Sequence, residues 1–280
     1  MPETIGDDLL PILFRDEHLV AIHKPAGLLV HRTLLDSHER RFALQLLRRQ
    51  IGCRVHAVHR LDKGTSGVLL FALSGEAGRA LGAMFEQRQV GKTYVAVVRG
   101  HPPFVGEIDH PLARRFDEAE RRSEAADAEP QAARTRYRRL AAIELPLRVD
   151  RYPSSRYALV ELEPLTGRRH QLRRHLKHIA HPVIGDATYG KGRHNRLFQT
   201  EFGCGRLLLA CTELRLAHPV TGVPLTLTAP LAADFSRLIA RLGWTGAVPP
   251  QWLPGYIGNL DRETGGDGHA LEQDAGPGQA

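Results

Sequence analysis

With 280 residues, 42% hydrophobic and 25% charged, the chain has the make-up of a globular protein able to bury a substantial core, and no stretch approaches the roughly 20 consecutive apolar residues of a membrane span. A formal charge of +7 suggests an acidic partner, of which nucleic acid is the commonest. The scattered Cys53, Cys204 and Cys211 suit neither a disulfide framework nor a zinc site and are expected as buried free thiols. The acidic start, Met1 to Asp8, lacks the pattern of a secretory signal, so cytoplasmic location is the simplest expectation.

Two short apolar runs, 11–14 and 19–22, flank the polar Arg15-Asp16-Glu17-His18 and lead into Lys24-Pro25-Ala26-Gly27, which predicts a hairpin feeding a tight turn. Residues 42–50 have helical spacing, with Phe42 and Leu46 on one face and Ala43 and Leu47 beside them. Next comes His59-Arg60-Leu61-Asp62-Lys63-Gly64-Thr65-Ser66-Gly67, followed by the unbroken apolar run 68–72. One carboxylate thus sits on a polar loop at the mouth of a buried strand, where functional groups are commonly held. Ala77, Ala80, Leu81 and Met84 predict a helix over 75–87, and a strand follows at 93–98.

Segment 114–134 mixes charges with little apolar content and reads as a mobile surface insertion. Strands are expected at 135–143, 156–163 and 206–216. Between them, 167–180 reads as a helix whose Leu172, Leu176 and Ile179 face the core, while Arg169, Arg173 and Lys177 form a basic stripe along another face. The glycine-rich tail, 263–280, is expected to be disordered. Residues 1–262 show no repeat or dividing linker and are expected as a single domain. Strands mixed irregularly with few helices predict an α+β fold with a mixed, mostly antiparallel central sheet and flanking helices.

Charge is unevenly spread: from Leu165 to Leu216 there are ten Lys or Arg against three acids, Asp186, Glu201 and Glu213. This clustering strengthens the nucleic-acid reading. Taken alone, Asp62 would be an ordinary turn residue, Tyr94 a core residue and Arg173 a surface helix charge. Thr65-Ser66-Gly67 lacks the Gly-x-Ser-x-Gly elbow of a hydrolase and runs into a strand, so both hydroxyls are expected to be structural. His170, His175, His178 and His181 lack zinc-ligand spacing and cysteine partners, and no metal is expected.

The Asp62 loop, Gly91-Lys92-Thr93-Tyr94, the stretch Leu165-Thr166-Gly167-Arg168-Arg169-His170-Gln171-Leu172-Arg173 and His181-Pro182-Val183-Ile184-Gly185-Asp186 together resemble the RluA-type pseudouridine synthases. The resemblance covers nearly all of the chain from Lys24-Pro25-Ala26-Gly27 onward. Leu29-Val30-His31-Arg32, residues 86–92 and Arg151-Tyr152-Pro153-Ser154-Ser155-Arg156-Tyr157 are similar to the branch of that family acting on uridine 65 in the T-arm stem of tRNA. That branch has a catalytic domain alone, so no S4-like module is expected.

The resemblance implies the family's catalytic fold with an active-site cleft, and a reaction that breaks the C1′–N1 bond of uridine and remakes it as C1′–C5. Composition does not change, so no cofactor is expected. The chemistry needs a nucleophile or base and a pocket that keeps the detached uracil while it turns. The resemblance gives the first role to Asp62, the packing of the flipped base to Tyr94 and the pairing of the catalytic carboxylate to Arg173. A uridine in a stem must leave its stack, and Arg60 is expected to fill the gap. His59, Lys92, Arg168, Arg169, His170, Gln171 and Lys177 are expected to contact RNA, and Leu208 or Leu209 to wall the pocket. The expected partner is tRNA, bound by a monomer without an obligate protein partner or membrane. A ribosomal RNA substrate and a non-catalytic RNA-binding protein are the alternatives.

Overall fold

A computed structural model of the chain describes residues 9–31, 39–114 and 129–256. Most of the 114–134 segment and all of the 263–280 tail lie outside these residues. The described end of that segment is ordered: Leu112 bridges to Gln131, and Arg134 already opens a strand.

Strands β1 (Ile12–Arg15) and β2 (Leu19–Lys24) form the expected hairpin. Asp16 closes it by accepting the N–H groups of His18 and Leu19, both at 2.7 Å. Helix α1 (Ala43–Ile51) is followed by the short β3 (His56–Ala57) and by β4 (Ser66–Ala72), the apolar run after Asp62. Helix α2 (Gly75–Glu86) starts where Ser74 Oγ accepts the Ala77 N–H at 3.1 Å, an N-cap. Then come β5 (Gly91–Arg99), β6 (Val105–Asp109), β7 (Arg134–Leu145) and β8 (Ser155–Pro164). Helices α3 (Gln171–His178) and α4 (Gly192–Phe202) precede β9 (Leu209–Ala217), β10 (Pro224–Thr228) and α5 (Ala233–Arg241).

The fold is α+β. The strands build one sheet in the order β1-β2-β4-β9-β5-β8-β7-β6, with β10 beside β9 and β3 beside β4. Among the named strands only β4 and β9 pair in parallel, through Ser66↔Ala210 and Gly67↔Cys211. Gly67 has φ +113°, and a Cβ there would lie 1.9 Å from the Cys211 carbonyl oxygen. Glycine is therefore required where the Asp62 loop enters the sheet.

Strand β5 shows how the sheet sorts its side chains. Val95 and Val97 pack with Phe198, Phe235 and Trp252 on one face, and Ala96 and Val98 with Leu172 and Leu176 of α3 on the other. The expected core face of α3 is thus in place. The helix is shorter than its apolar spacing predicts, because His170 takes a left-handed φ of +55° and ends the approach turn. The basic stripe is corrected with it: Arg169 precedes the helix, and Arg173 is buried rather than solvated. Strand β9 likewise begins at Leu209, since Leu208 bonds to Ile184 and Val97 instead. Among the thiols Cys204 and Cys211 are buried, but Cys53 is exposed.

Candidate active site

The loop that carries Asp62 is tied down from three sides. The Thr65 N–H donates to the Asp62 carbonyl at 3.0 Å, which tightens the turn before β4. Beneath it the fully buried Lys24 donates to the carbonyls of Pro25, Leu28 and Lys63 at 2.9, 2.7 and 3.2 Å. Burial, then the Arg206 charge, pushes this ammonium down to about 7. The buried Ser66 hydroxyl accepts from Arg206 Nη2 at 2.6 Å, the structural use expected of it. On the outer side His59 Nε2 accepts the Leu70 N–H at 2.9 Å, and its ring stacks on Phe85 at 4.7 Å. Burial, then Lys92, pushes His59 down to about 3, which keeps the acceptor lone pair available.

Facing this loop, α3 contributes Arg173. Its Nη1 donates to Asp62 Oδ2 at 3.1 Å, while Nε and Nη2 fork onto Asp186 at 2.7 and 2.8 Å. Asp186 also accepts the N–H groups of Thr188 and Tyr189, both at 2.9 Å. Burial alone would raise the Asp186 carboxyl, but the Arg173 fork and these N–H donors hold it below its usual range. Burial opposes the Arg173 charge too, and the two carboxylates outweigh it and raise its pKa. One guanidinium thus bridges a buried aspartate and a partly exposed one. The Tyr189 ring lies 5.1 Å from its centre, and the Tyr189 hydroxyl meets His170 Nδ1 at 3.1 Å. His170 Nε2 is 3.9 Å from Asp62 Oδ1.

Tyr94, beside a bulge in β5, closes the third side. Burial, then Cys211 and the Asp62 charge, raises its phenol well above the ordinary value, so the hydroxyl is neutral at physiological pH. These groups line an open cleft of about 500 Å³.

Asp62, Tyr94, Arg173, His59, Arg60, Lys92, Arg168, Arg169, His170, Gln171 and Leu209 all line this cleft. At four further expected positions the side chains are engaged within the protein or lie apart from the cleft. Leu208 is fully buried in the cluster on the far face, so only Leu209 reaches the cleft. Gln171 has its amide engaged within the protein: its Oε1 accepts from Thr166 Oγ1 and the Arg168 N–H, and its Nε2 donates to the Arg134 carbonyl and Thr135 Oγ1. His59 supports the loop through its bond to Leu70 and its stack on Phe85. Lys177 is exposed further along α3, with its Nζ 5.8 Å from the Tyr189 ring, and does not line the cleft.

Sequence reasoning gave Asp186 no role, although it is one of three acids in a strongly basic stretch. An acid surrounded by so many cations is a usable signal for a buried partner. The other histidines have separate tasks. His175 is buried between Thr135 Oγ1 and the His110 carbonyl, His178 stacks on His110, and His181 meets the Arg99 carbonyl. No helix among the described residues is long and apolar enough to cross a membrane.

The RNA pseudouridylate synthase family pattern matches residues 18–178. The chain is 51% identical over 241 residues to tRNA pseudouridine synthase C of Pectobacterium carotovorum subsp. carotovorum, covering 86% of this chain and 64% of that protein. It is 49% identical to tRNA pseudouridine synthase C of Yersinia pestis over 86% of this chain and 94% of that protein. Among solved structures, human RNA pseudouridylate synthase domain containing 4 superposes with a TM-score of 0.61 at 29% identity, over 83% of this chain and 93% of that one. The fold, the cleft and these likenesses agree: the chain belongs to the RNA pseudouridylate synthase family.

Proposed function

We propose that the chain isomerises uridine 65 in the T-arm stem of tRNA to pseudouridine, with Asp62 as nucleophile or base. The observation that carries this reading is the Asp62–Arg173–Asp186 bridge beside Tyr94 in an open cleft. Arg173 orients one Asp62 oxygen, and the other lies 3.9 Å from His170 Nε2. Tyr94, a neutral phenol on a packed strand, offers its ring to the flipped uracil, and Leu209 adds an apolar wall. The exposed Arg60 stands beside Asp62 in sequence and is suited to occupy the vacated stack. Lys92, Arg168 and Arg169 line the cleft as RNA contacts. The tRNA substrate is supported by the relatives' names, and the position by the likeness to the tRNA-acting branch.

The test is Asp62→Asn assayed on an unmodified tRNA transcript, with the product position mapped. Turnover is expected to fall below detection with tRNA binding retained, and wild-type turnover in the variant would sink the assignment. Pseudouridine made by the wild-type protein in ribosomal RNA and not in tRNA would move the substrate while keeping the chemistry.

A further inference from the structure

Three non-glycine residues among those described have left-handed backbone: Arg88 (φ +60°), His170 (φ +55°) and Ala180 (φ +64°). His170 belongs to the site above. Arg88 stands just past α2, where the Arg88 N–H donates to the Phe85 carbonyl at 3.2 Å and the Gln89 N–H to the Met84 carbonyl at 2.9 Å. This pair of bonds is a Schellman ending, whose left-handed position is usually glycine. The chain itself follows that habit elsewhere: α1 ends at Gly52, α4 at Gly203, and Gly243 follows α5, all with positive φ. An arginine there carries a backbone cost that glycine would avoid.

The side chain lies where the cost has a use. Arg88 is exposed and lines the same cleft as Asp62, next to Lys92, and α2 is braced there by the Phe85–His59 stack. Its charge is among the causes that lower Lys92, after burial. Ala180, the other non-glycine helix ending, does not line the cleft.

We infer that Arg88 is an RNA-binding residue of this site, a guanidinium held at the cleft rim at the expense of helix-end stability to grip a backbone phosphate beside the flipped uridine. A planar fork on a rigid helix end suits a phosphate. The inference rests on the proposed RNA substrate.

The test compares Arg88→Gly, Arg88→Gln and Ala180→Gly with the wild-type protein, reading thermal midpoint, tRNA affinity at several salt concentrations and turnover. Arg88→Gly is expected to raise the midpoint by about 2 °C, to weaken binding roughly 5-fold and to lower the salt slope by about 1. Arg88→Gln should weaken binding equally without the thermal gain. Ala180→Gly should give the thermal gain with binding unchanged. Unchanged affinity in both Arg88 variants, or an Arg88→Gly midpoint that does not rise, would overturn the inference. A wild-type protein that binds tRNA and forms no pseudouridine in it would overturn the proposed substrate, while the affinity comparison would still decide the role of Arg88.

Discussion

Two sets of arginine–carboxylate pairs in this molecule use the same chemistry in opposite surroundings. On the outer strands Arg134 and Arg136 of β7 pair with Glu107 of β6, and Arg138 pairs with Glu161 of β8 at 3.2 Å. All three guanidinium groups are largely in water, where ion pairs gain little beyond what the solvent already supplies. At the site Arg173 is nearly buried and Asp186 entirely so, and each depends on the other for its charge to be tolerated. Exposure, more than geometry, separates a surface ladder from a structural keystone.

Breaking the buried pair should have the largest effect on stability. Asp186→Asn leaves Arg173 with Asp62 as its one remaining carboxylate, and a loss of about 3 kcal/mol is expected from the stranded charge. Urea denaturation at neutral pH checks it; a midpoint equal to wild type would mean that the buried pair matters no more than the surface ladder. Arg173→Lys is expected to be milder on stability but still to lower turnover, by roughly 100-fold, because an ammonium cannot fork onto Asp186 while holding Asp62. Single-turnover kinetics on tRNA would show this, and near-normal rates would mean that charge alone suffices.

Acid supplies a third comparison. His59 has a folded pKa of about 3 against an ordinary 6.5, so the unfolded chain binds more protons between these values. Its contribution is therefore complete above pH 6.5 and is lost progressively as pH falls toward 3. In denaturation midpoints measured across that window, His59→Gln should flatten the decline, and parallel wild-type and variant curves would refute the account. The smallest effect belongs to the ladder: Arg138→Ala should leave the denaturation midpoint unmoved within error, and a clear drop would show that the outer strands rely on their charges after all.

The hairpin, α1, α2, β4, β5, β7 and β8 were legible because each has a clean period or an unbroken apolar run. The motif loop and its partners Tyr94 and Arg173 were legible for a different reason, their resemblance to a family. Face assignment stays open where periodicity carries no information. Leu207-Leu208-Leu209 is apolar throughout and buried on both sides, so nothing in it says which leucine meets the cleft. The partners of Gln171 were equally illegible, since two of the four, Arg134 and Thr135, are brought alongside only by folding. The small β6 and β10 are edge elements with little apolar content, whereas α5 carries a clean helical period in Phe235, Leu238, Ile239 and Leu242 that was there to be read.

The junction of β4 with the chain's later half bears on when the protein becomes competent. Ser66 takes its hydrogen bond from Arg206, 140 residues further on, and its strand pairs with β9 only after that segment exists. Contacts of such sequence separation form slowly and late. On a translating ribosome, Asp62 emerges long before the strand that seats it, so tRNA nearby meets an unassembled cleft until synthesis has passed β9. Stalled chains of increasing length should acquire tRNA binding only beyond that point.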